Sequence, residues 1–163
     1  ECRSFPVLAD PGACWARRGW EVNGVRLSTS SGGVFRIERV LVGRDSAMAY
    51  PGVFRAPAWK NWRGLRAWGT TLYWPGPASA VFAVRVDDRA GDPPYAERFQ
   101  REFVVTQGWN AVEISAEEMS RTSGGRPLRL DQIRSWGLFL VSAAPFDYFL
   151  LGETRLHLNE DRL

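Results

Sequence analysis

Turn-forming residues interrupt this chain at short, regular intervals, and no segment between them has the period of a long amphipathic helix. Glycine, proline, asparagine and aspartate cluster roughly every eight to twelve residues, a spacing typical of many short strands. The segments between these clusters are rich in valine, leucine and aromatic residues, which favour strands. The interruptions fall at 10–12, 23–24, 30–33, 51–52, 75–77, 91–94, 108 and 124–127.

Apolar and polar residues alternate within these segments, and successive side chains of a strand point to opposite faces. In segment 81–88, Phe82, Val84 and Val86 therefore face a core, which leaves Arg85 and Asp87 facing outward. The same alternation directs inward Trp68, Thr70, Leu72, Val112, Ile114, Trp136, Leu138 and Leu140, and outward Thr71, Tyr73, Glu113 and Phe139. Segment 148–158 has consecutive apolar residues, which predicts a central strand.

Only two short stretches favour helical turns. Ser115 precedes Glu118 by three residues, the spacing of a capping box, and residues 130–135 form a short mixed segment. Neither could cover a sheet, so the amphipathic strands must bury their apolar faces against a second sheet. We expect an all-β fold, a two-sheet antiparallel β-sandwich of jelly-roll type with one or two helical turns, in a single domain spanning 1–163.

The charge pattern and hydropathy bear on the partners of the chain. Its 21 basic residues include a single lysine, Lys60, and the arginines are interleaved with acidic residues, for a formal net charge of +3. Nucleic-acid-binding domains instead concentrate positive charge on one face. No apolar run reaches the roughly 18 residues that span a bilayer. We expect no nucleic-acid binding and no membrane insertion. We expect a monomer that is a mature chain or an excised domain and that can be tethered to another domain.

Two cysteines, Cys2 and Cys14, leave two alternatives open. An even number fits a disulfide and an extracytoplasmic, secreted or periplasmic location, whereas two unpaired thiols near the chain end fit equally well. His157, the only histidine, lies at the far end of the sequence, so a metal site built on these cysteines is not expected.

Six short motifs occur in a recognisable order. They are Asn-Trp-Arg-Gly-Leu at 61–65, Val-Arg-Val-Asp-Asp at 84–88, Tyr-Ala-Glu-Arg-Phe at 95–99, Gly-Trp-Asn-Ala-Val-Glu-Ile at 108–114, Leu-Arg-Leu-Asp-Gln-Ile at 128–133 and Thr-Arg-Leu at 154–156. Over about residues 59–158 the chain resembles carbohydrate-binding-module-like domains with a galactose-binding-like jelly roll. Such domains are appended to bacterial glycoside-active enzymes and to VanZ-like membrane proteins, and the assembly factor of mitochondrial complex I looks similar. The resemblance implies a non-catalytic domain that binds a polysaccharide or oligosaccharide.

One departure from that pattern concerns calcium. Gly152 stands where related modules carry an acidic residue that can belong to a structural calcium site. Glu153 alone cannot supply the roughly six to eight oxygen ligands that calcium takes. We therefore expect neither a calcium ion nor any other cofactor.

The chain has eight tryptophans, a high number that suits either a core or a sugar-binding surface. Their positions in the pattern divide them into two groups. Trp62, Trp68, Trp109 and Trp136 fall at motif or inward positions and are expected in the core. The tryptophans beside turns or in the irregular N-terminal part are candidates for ligand contact, namely Trp15, Trp20, Trp59 and Trp74.

Combining the outward positions with these aromatics gives one hypothesis for the ligand site. A sugar would lie across one outer sheet face, contacting Tyr73, Arg85, Asp87, Glu113 and Phe139 and edged by Trp59 and Trp74. Two alternatives remain. The same face could dock another polypeptide in a larger membrane or assembly protein, or paired carboxylates such as Asp87 with Glu113, or Glu117 with Glu118, could cleave a glycan. The sequence has no nucleophile motif or phosphate loop, and we expect no enzyme activity.

Overall fold

Antiparallel strands dominate the structure, a computed structural model that describes residues 7–13, 16, 18–30, 32–40, 49–142 and 145–159. Within these residues two single 3₁₀ turns, Tyr95–Glu97 and Glu118–Ser120, are the helical elements. The strands are β1 (Val7–Ala9), β2 (Trp20–Asn23), β3 (Val25–Thr29), β4 (Phe35–Arg39), β5 (Gly52–Arg55), β6 (Leu65–Trp74), β7 (Ala80–Asp87), β8 (Phe99–Val105), β9 (Gly108–Ser115), β10 (Ser135–Leu140) and β11 (Tyr148–Leu158).

The strands form two sheets. Sheet A has the order β3-β4-β11-β6-β9, with β1 also paired to β11, and sheet B has the order β2-β5-β10-β7-β8. Every pairing is antiparallel. From β6 onward the chain passes repeatedly between the sheets, since β6, β9 and β11 belong to sheet A and β7, β8 and β10 to sheet B. The expected two-sheet β-sandwich of jelly-roll type is confirmed.

The inward side chains of both sheets meet in an aromatic core. Trp68 of sheet A lies edge-to-face against Trp136 of sheet B, with 6.0 Å between ring centroids. Phe82 and Phe149 make a similar contact at 5.0 Å. The alternation therefore identified the buried side of β6, β7 and β10 correctly. The expected central strand is also confirmed, because β11 pairs with β4 and β1 along one side and with β6 along the other.

The capping box forms as its spacing predicts. The backbone N–H of Glu118 donates to Ser115 Oγ at 3.2 Å, and the backbone N–H of Ser115 donates to Glu118 Oε2 at 2.9 Å. The resulting helical element is a single 3₁₀ turn. Residues 130–135 form no helix, and a hydrogen bond from Ile133 N–H to the Lys60 carbonyl oxygen, 2.8 Å long, ties them to the loop before β6.

The tryptophans do not divide as the sequence predicts. Trp62, Trp68 and Trp136 are buried, but Trp109 is 55% exposed because it lies on the outer face of β9. Trp74, predicted to contact a ligand, is only 1% exposed and packs in the core, and its Nε1 donates to the Ala78 carbonyl oxygen at 2.8 Å. Trp20, another candidate for ligand contact, is packed against the core between Phe35 and Trp136.

Some predictions fall outside the described residues. They concern Cys2, Cys14 and Trp15. Both alternatives for the two cysteines, a disulfide or two unpaired thiols, therefore stay open. In the ranges that the structure covers, no helix has the length and apolar character needed to cross a membrane.

A buried carboxylate, Asp88, connects the end of β7 to the loop that precedes β10. Asp88 has a fully buried side chain that receives Arg126 Nη1 and Nη2, each at 2.8 Å, and the backbone N–H of Arg129 at 2.8 Å. Burial by itself raises the pKa of Asp88, but the hydrogen bonds from Arg126 and Arg129 outweigh it, so the pKa lies below its usual value. The charged form of Asp88 therefore stabilises the fold.

Substitution of Arg126 tests this network. Because the pKa of Asp88 is lowered in the folded protein, its stabilisation is complete above the unfolded-state pKa of about 4. It is lost as the pH falls through the lower pKa of the folded state. We expect Arg126→Gln to reduce the free energy of unfolding by about 3 kcal/mol at pH 7, since it leaves a buried charge unpaired. The deficit should shrink at acidic pH as Asp88 becomes protonated, and it should be smallest below the lowered native pKa of Asp88. Urea unfolding at several pH values measures both effects.

Arg63→Gln is the matched control. Arg63 Nη2 lies 3.2 Å from Asp131 Oδ2, but this pair is largely exposed, so its removal should change the free energy of unfolding by less than about 1 kcal/mol. Equal losses in the two variants, or a loss at Arg126 that does not depend on pH, would contradict the role given to Asp88.

Candidate functional site

The residues predicted to form one site are divided between two sheets. Tyr73 and Glu113 lie on the outer face of sheet A, on β6 and β9, whereas Arg85, Asp87 and Phe139 belong to sheet B, on β7 and β10. The outer faces of a sandwich point in opposite directions, so no single ligand contacts both sets. Alternation had correctly separated outward from inward residues, but it does not tell to which sheet a strand belongs.

The outer face of sheet B contains a groove of about 500 Å³. A second depression of about 480 Å³ adjoins it and shares the side chains of Phe54 and Arg85. We call the first the sheet B groove, lined by Asn23, Tyr50, Phe54, Arg85, Tyr95, Arg98, Gln100, Glu102, Phe139 and Val141.

Two stacked phenylalanines form the floor of the sheet B groove. The rings of Phe54 and Phe139 lie 5.9 Å apart at an interplanar angle of 28°. Each stands directly opposite a glycine of the neighbouring strand, Phe54 opposite Gly137 and Phe139 opposite Gly52. A Cβ at Gly137 would overlap the Phe54 ring, and a Cβ at Gly52 would overlap Phe139. Gly137 therefore lets the Phe54 ring lie across the neighbouring strand, whereas at Gly52 a Cβ would meet the Leu138 carbonyl oxygen and the Cβ and backbone of Phe139, a residue that is only 6% exposed.

Tyr50 stands at one end of this floor. Its side chain is 58% exposed and meets Phe139 edge-to-face at 6.0 Å. Its backbone has φ 57°, a left-handed conformation that costs free energy for a bulky residue. Asn23 holds that conformation, because its Nδ2 donates to the carbonyl oxygens of Ala49 and Tyr50 at 3.1 and 3.0 Å. The aromatic ring is thus kept exposed at a strained position.

Strand β8 and the residue before it form a polar wall along the groove. Arg98, Gln100 and Glu102 alternate with Phe99, Arg101 and Phe103, so the side chains of the first three share the outer face. Arg98 lies over the ring of Tyr95, with 5.6 Å between its guanidinium carbon and the ring centroid. Arg98 Nε and Gln100 Oε1 are buried and have no hydrogen-bond partner among the described residues. This wall therefore has spare donor and acceptor capacity.

Arg85, in contrast, has its hydrogen-bonding groups occupied. Its Nε donates to both carboxylate oxygens of Asp87 at 3.0 Å, and its Nη2 donates to Asp92 Oδ1 at 2.8 Å. Asp87 is 2% exposed and also accepts a 3.0 Å bond from Ser135 Oγ. Asp87, predicted to contact a ligand, is therefore a largely buried carboxylate that orients Arg85 at the edge of the second depression.

The arginines of the groove also affect each other. Burial lowers the pKa of Arg98, and the positive charge of Arg85 lowers it further, although Asp87 and Asp92 act in the opposite direction. The nearest carboxylate oxygen, Asp92 Oδ1, lies 4.0 Å from Arg98 Nη1 and already binds Arg85. Arg98 is accordingly the cation of this groove that is available to a ligand.

The remaining predicted residues lie elsewhere. On sheet A, Tyr73 contacts the exposed Trp109 at 5.5 Å between centroids, and Glu113 borders a shallow depression of about 350 Å³. Trp59 is exposed in the loop between β5 and β6 and does not line the sheet B groove. Phe139 is thus the one predicted aromatic that contributes to the groove. Within the described ranges, no three His, Cys, Asp or Glu side chains cluster closely enough to hold a metal ion.

Sequence reasoning missed most of the sheet B groove. Tyr95 and Arg98 were named only within the motif at 95–99, and no ligand role was predicted for Asn23, Tyr50, Phe54, Gln100 or Glu102. A signal existed for β8, because Gln100 and Glu102 alternate with Phe99 and Phe103. No comparable signal marks Tyr50, whose exposed position depends on its left-handed backbone conformation.

Comparisons with known proteins add information on the fold. No protein-family model matches the chain, and no curated protein is significantly similar to it in sequence. Solved structures do match. An agarase, AgWH50C, is 13% identical with a TM-score of 0.66, and the match covers 96% of this chain and 26% of that one. The chain therefore spans about a quarter of the length of that enzyme.

Isolated binding modules match over nearly their whole length. The solution structure of the module CtCBM11 is 14% identical with a TM-score of 0.61, covering 87% of this chain and 85% of that one. The family 11 carbohydrate-binding module from Clostridium thermocellum, in complex with a β-1,3-1,4-mixed-linked tetrasaccharide, is 14% identical with a TM-score of 0.54 and coverages of 85% and 84%. The chain therefore has the jelly-roll β-sandwich fold of carbohydrate-binding modules.

Proposed function

We propose that this chain is a non-catalytic carbohydrate-binding module that holds a glycan in the sheet B groove. The observation that carries the proposal is the combination of an aromatic floor, Phe54 and Phe139, with the exposed Tyr50 at its end. The C–H faces of a pyranose ring stack on aromatic rings, while its hydroxyl groups need directional hydrogen bonds. The polar wall along β8 supplies such groups.

The arrangement of the carboxylates supports binding without catalysis. Glycoside hydrolysis uses two carboxyl groups about 5–10 Å apart on either side of one bond. Asp87 is buried against Arg85, whereas Glu113 lies on the opposite face of the sandwich. Glu118 is engaged in its capping box with Ser115. None of these carboxylates is placed to act on a sugar in the sheet B groove.

The similar structures support the same proposal. They include a family 11 carbohydrate-binding module in complex with a β-1,3-1,4-mixed-linked tetrasaccharide, and an agarase of which this chain spans about a quarter. We propose by analogy that the domain is tethered to another domain in an extracytoplasmic protein. Its role would be to hold that protein on a glycan.

A second candidate function rests on the other face. Trp109, 55% exposed, and Tyr73 form an aromatic pair on the outer surface of sheet A, beside Leu150 on β11. Such a pair suits the docking of another polypeptide, the alternative that the sequence leaves open. The two functions use opposite faces, so matched substitutions distinguish them.

The first test compares the exposed aromatics of the two faces. We expect native gels containing mixed-linked β-1,3-1,4-glucan, agarose or xylan to show retardation of the protein by at least one polysaccharide. Tyr50→Ala should weaken that binding by about tenfold, equivalent to about 1.4 kcal/mol, because it removes an aromatic contact from the groove. Isothermal titration calorimetry with the corresponding oligosaccharide measures the change.

Trp109→Ala is the matched control, since Trp109 is as exposed as Tyr50 but lies on sheet A. It should leave the affinity unchanged. Loss of binding in Trp109→Ala but not in Tyr50→Ala would place the ligand on sheet A. Absence of binding to every polysaccharide, and to oligosaccharides at millimolar concentration, would remove the proposed function.

A second test addresses the floor of the groove. Gly137→Ala places a methyl group where the Phe54 ring lies, so the ring must move and the floor is distorted. We expect about tenfold weaker glycan binding and a loss of about 1–3 kcal/mol in the free energy of unfolding. Calorimetric titration and urea unfolding give the two values.

Gly32→Ala controls for the substitution itself. The nearest atom to a Cβ at Gly32 is Ser30 Oγ, at 3.7 Å, so the methyl group fits there without displacement. Its glycan affinity should equal that of the unaltered protein. Unchanged binding in Gly137→Ala would show that the position of Phe54 does not matter to the ligand.

A further inference from the structure

A depression of about 690 Å³ lies at one end of sheet A, where β3, β4 and the start of β11 meet the turn that follows β6. It shares no lining residue with the sheet B groove. Its charged lining consists of three arginines, Arg26, Arg36 and Arg39, and two carboxylates, Glu38 and Asp147, so its formal net charge is +1. We call it the arginine depression.

Glu38 connects two of the arginines. Arg26 Nη2 donates to Glu38 Oε2 at 2.6 Å, and Arg36 Nε donates to Glu38 Oε1 at 2.7 Å. The hydrogen bonds from Arg36 and Arg26 lower the pKa of Glu38, so this carboxylate stays charged and has both oxygens occupied. Because one carboxylate reaches both guanidinium groups, the two cations are close enough to share a single anionic group. One positive charge of this trio is left uncompensated.

Aromatic rings hold Arg36 and Arg39. The guanidinium carbon of Arg36 lies 3.9 Å from the centroid of the Tyr148 ring, and that of Arg39 lies 5.8 Å from the centroid of the Phe146 ring. Among the described residues Arg39 forms no ion pair, and neither does the exposed Asp147. Each guanidinium carries five N–H donors, and the bonds to Glu38 use one donor of Arg26 and one of Arg36. Further donors are therefore available to a ligand.

The rest of the lining is largely apolar. Pro75 and Pro77 lie in the turn after β6, and Phe146 precedes β11. Proline has no backbone N–H, so the two prolines offer apolar contact and no donor. A ligand thus needs an acidic group for the arginines and a body with an apolar face for the prolines. A uronic acid has both, since its carboxylate suits a guanidinium and its ring carbons carry an apolar C–H face.

We propose that the arginine depression is a second ligand site, which takes an acidic sugar residue such as the uronate unit of a polysaccharide. Its volume lies within the range of about 300–1,000 Å³ that small-molecule sites have, more than a bare inorganic anion fills. The inference goes beyond the proposed function, because it adds a separate site with a ligand of another class. Either site can fail its test without the other.

The experiment titrates the ¹⁵N-labelled protein with α-1,4-linked trigalacturonate and with the neutral galactotriose of the same linkage. At low ionic strength we expect trigalacturonate to bind about tenfold more tightly, because only its carboxylates attract the arginines. Backbone amide signals of residues 36–39 and 146–148 should shift, whereas those of residues 137–139 in the sheet B groove should not. Added salt should weaken the binding of trigalacturonate, since screening reduces the attraction.

Substitutions at exposed or half-buried positions test the individual charges. Arg36→Gln and Arg39→Gln should each weaken trigalacturonate binding about fivefold, because each removes a charged donor. Asp147→Asn should strengthen it, because an unpaired negative charge is removed from the lining. Arg63→Gln is the matched control, an exposed arginine outside the depression, and should leave the affinity unchanged.

Several outcomes would overturn the inference. Equal binding of the neutral and acidic trisaccharides, or no binding of either, would remove the site. Full affinity in both Arg36→Gln and Arg39→Gln would show that the acid binds elsewhere. Inorganic phosphate or N-acetylated triglutamate that binds as tightly as trigalacturonate would show that the sugar ring contributes nothing. In each case the binding of neutral polysaccharides, tested by Tyr50→Ala, decides the proposed function separately.

Discussion

The contact between aromatic rings of the two sheets is the interaction on which this structure depends. Trp68 and Trp136 meet at the centre, and Phe82 and Phe149 extend the same layer. Large rings of this kind bury roughly 150–250 Å² each, and removing one from a core typically costs about 3–5 kcal/mol. In the part of the chain that the structure describes, helices contribute only two single turns, so the second sheet covers the first. The positions of both outer faces follow from this packing.

A second set of aromatic residues lies on the outer face of sheet B and not in the core. Phe54 and Phe139 lie on the outer face of sheet B because they alternate with residues that face the core, and Gly137 lets the Phe54 ring lie across the neighbouring strand. Burial of one aromatic set stabilises the sandwich, while the other set lines the groove, with Phe139 only 6% exposed at its floor. The strained backbone of Tyr50, held by Asn23, extends this second set by one ring.

Most of the fold could be predicted from the sequence, whereas most of the site could not. Period-two alternation is a local property, so it gave the buried sides of β6, β7 and β10 and the central place of β11. Sheet membership is decided by contacts distant in sequence, and the prediction that Tyr73 and Phe139 share a face failed for that reason. Trp74 and Trp109 were exchanged between core and surface because the alternation was not followed to the strand ends, although Trp74 continues the inward set of β6 and Trp109 the outward set of β9. The exposed position of Tyr50 depends on a left-handed backbone conformation that the sequence pattern does not indicate.

The polar wall lies on β8, an edge strand of sheet B. This position affects how the groove can change in sequence during evolution. An outermost strand has one neighbour instead of two, and side chains on its solvent side support little of the interior. Exchanges at 98, 100 and 102 can therefore accumulate without loosening the sandwich. Related domains sharing this scaffold would be free to acquire new ligand preferences through a handful of replacements along one rim.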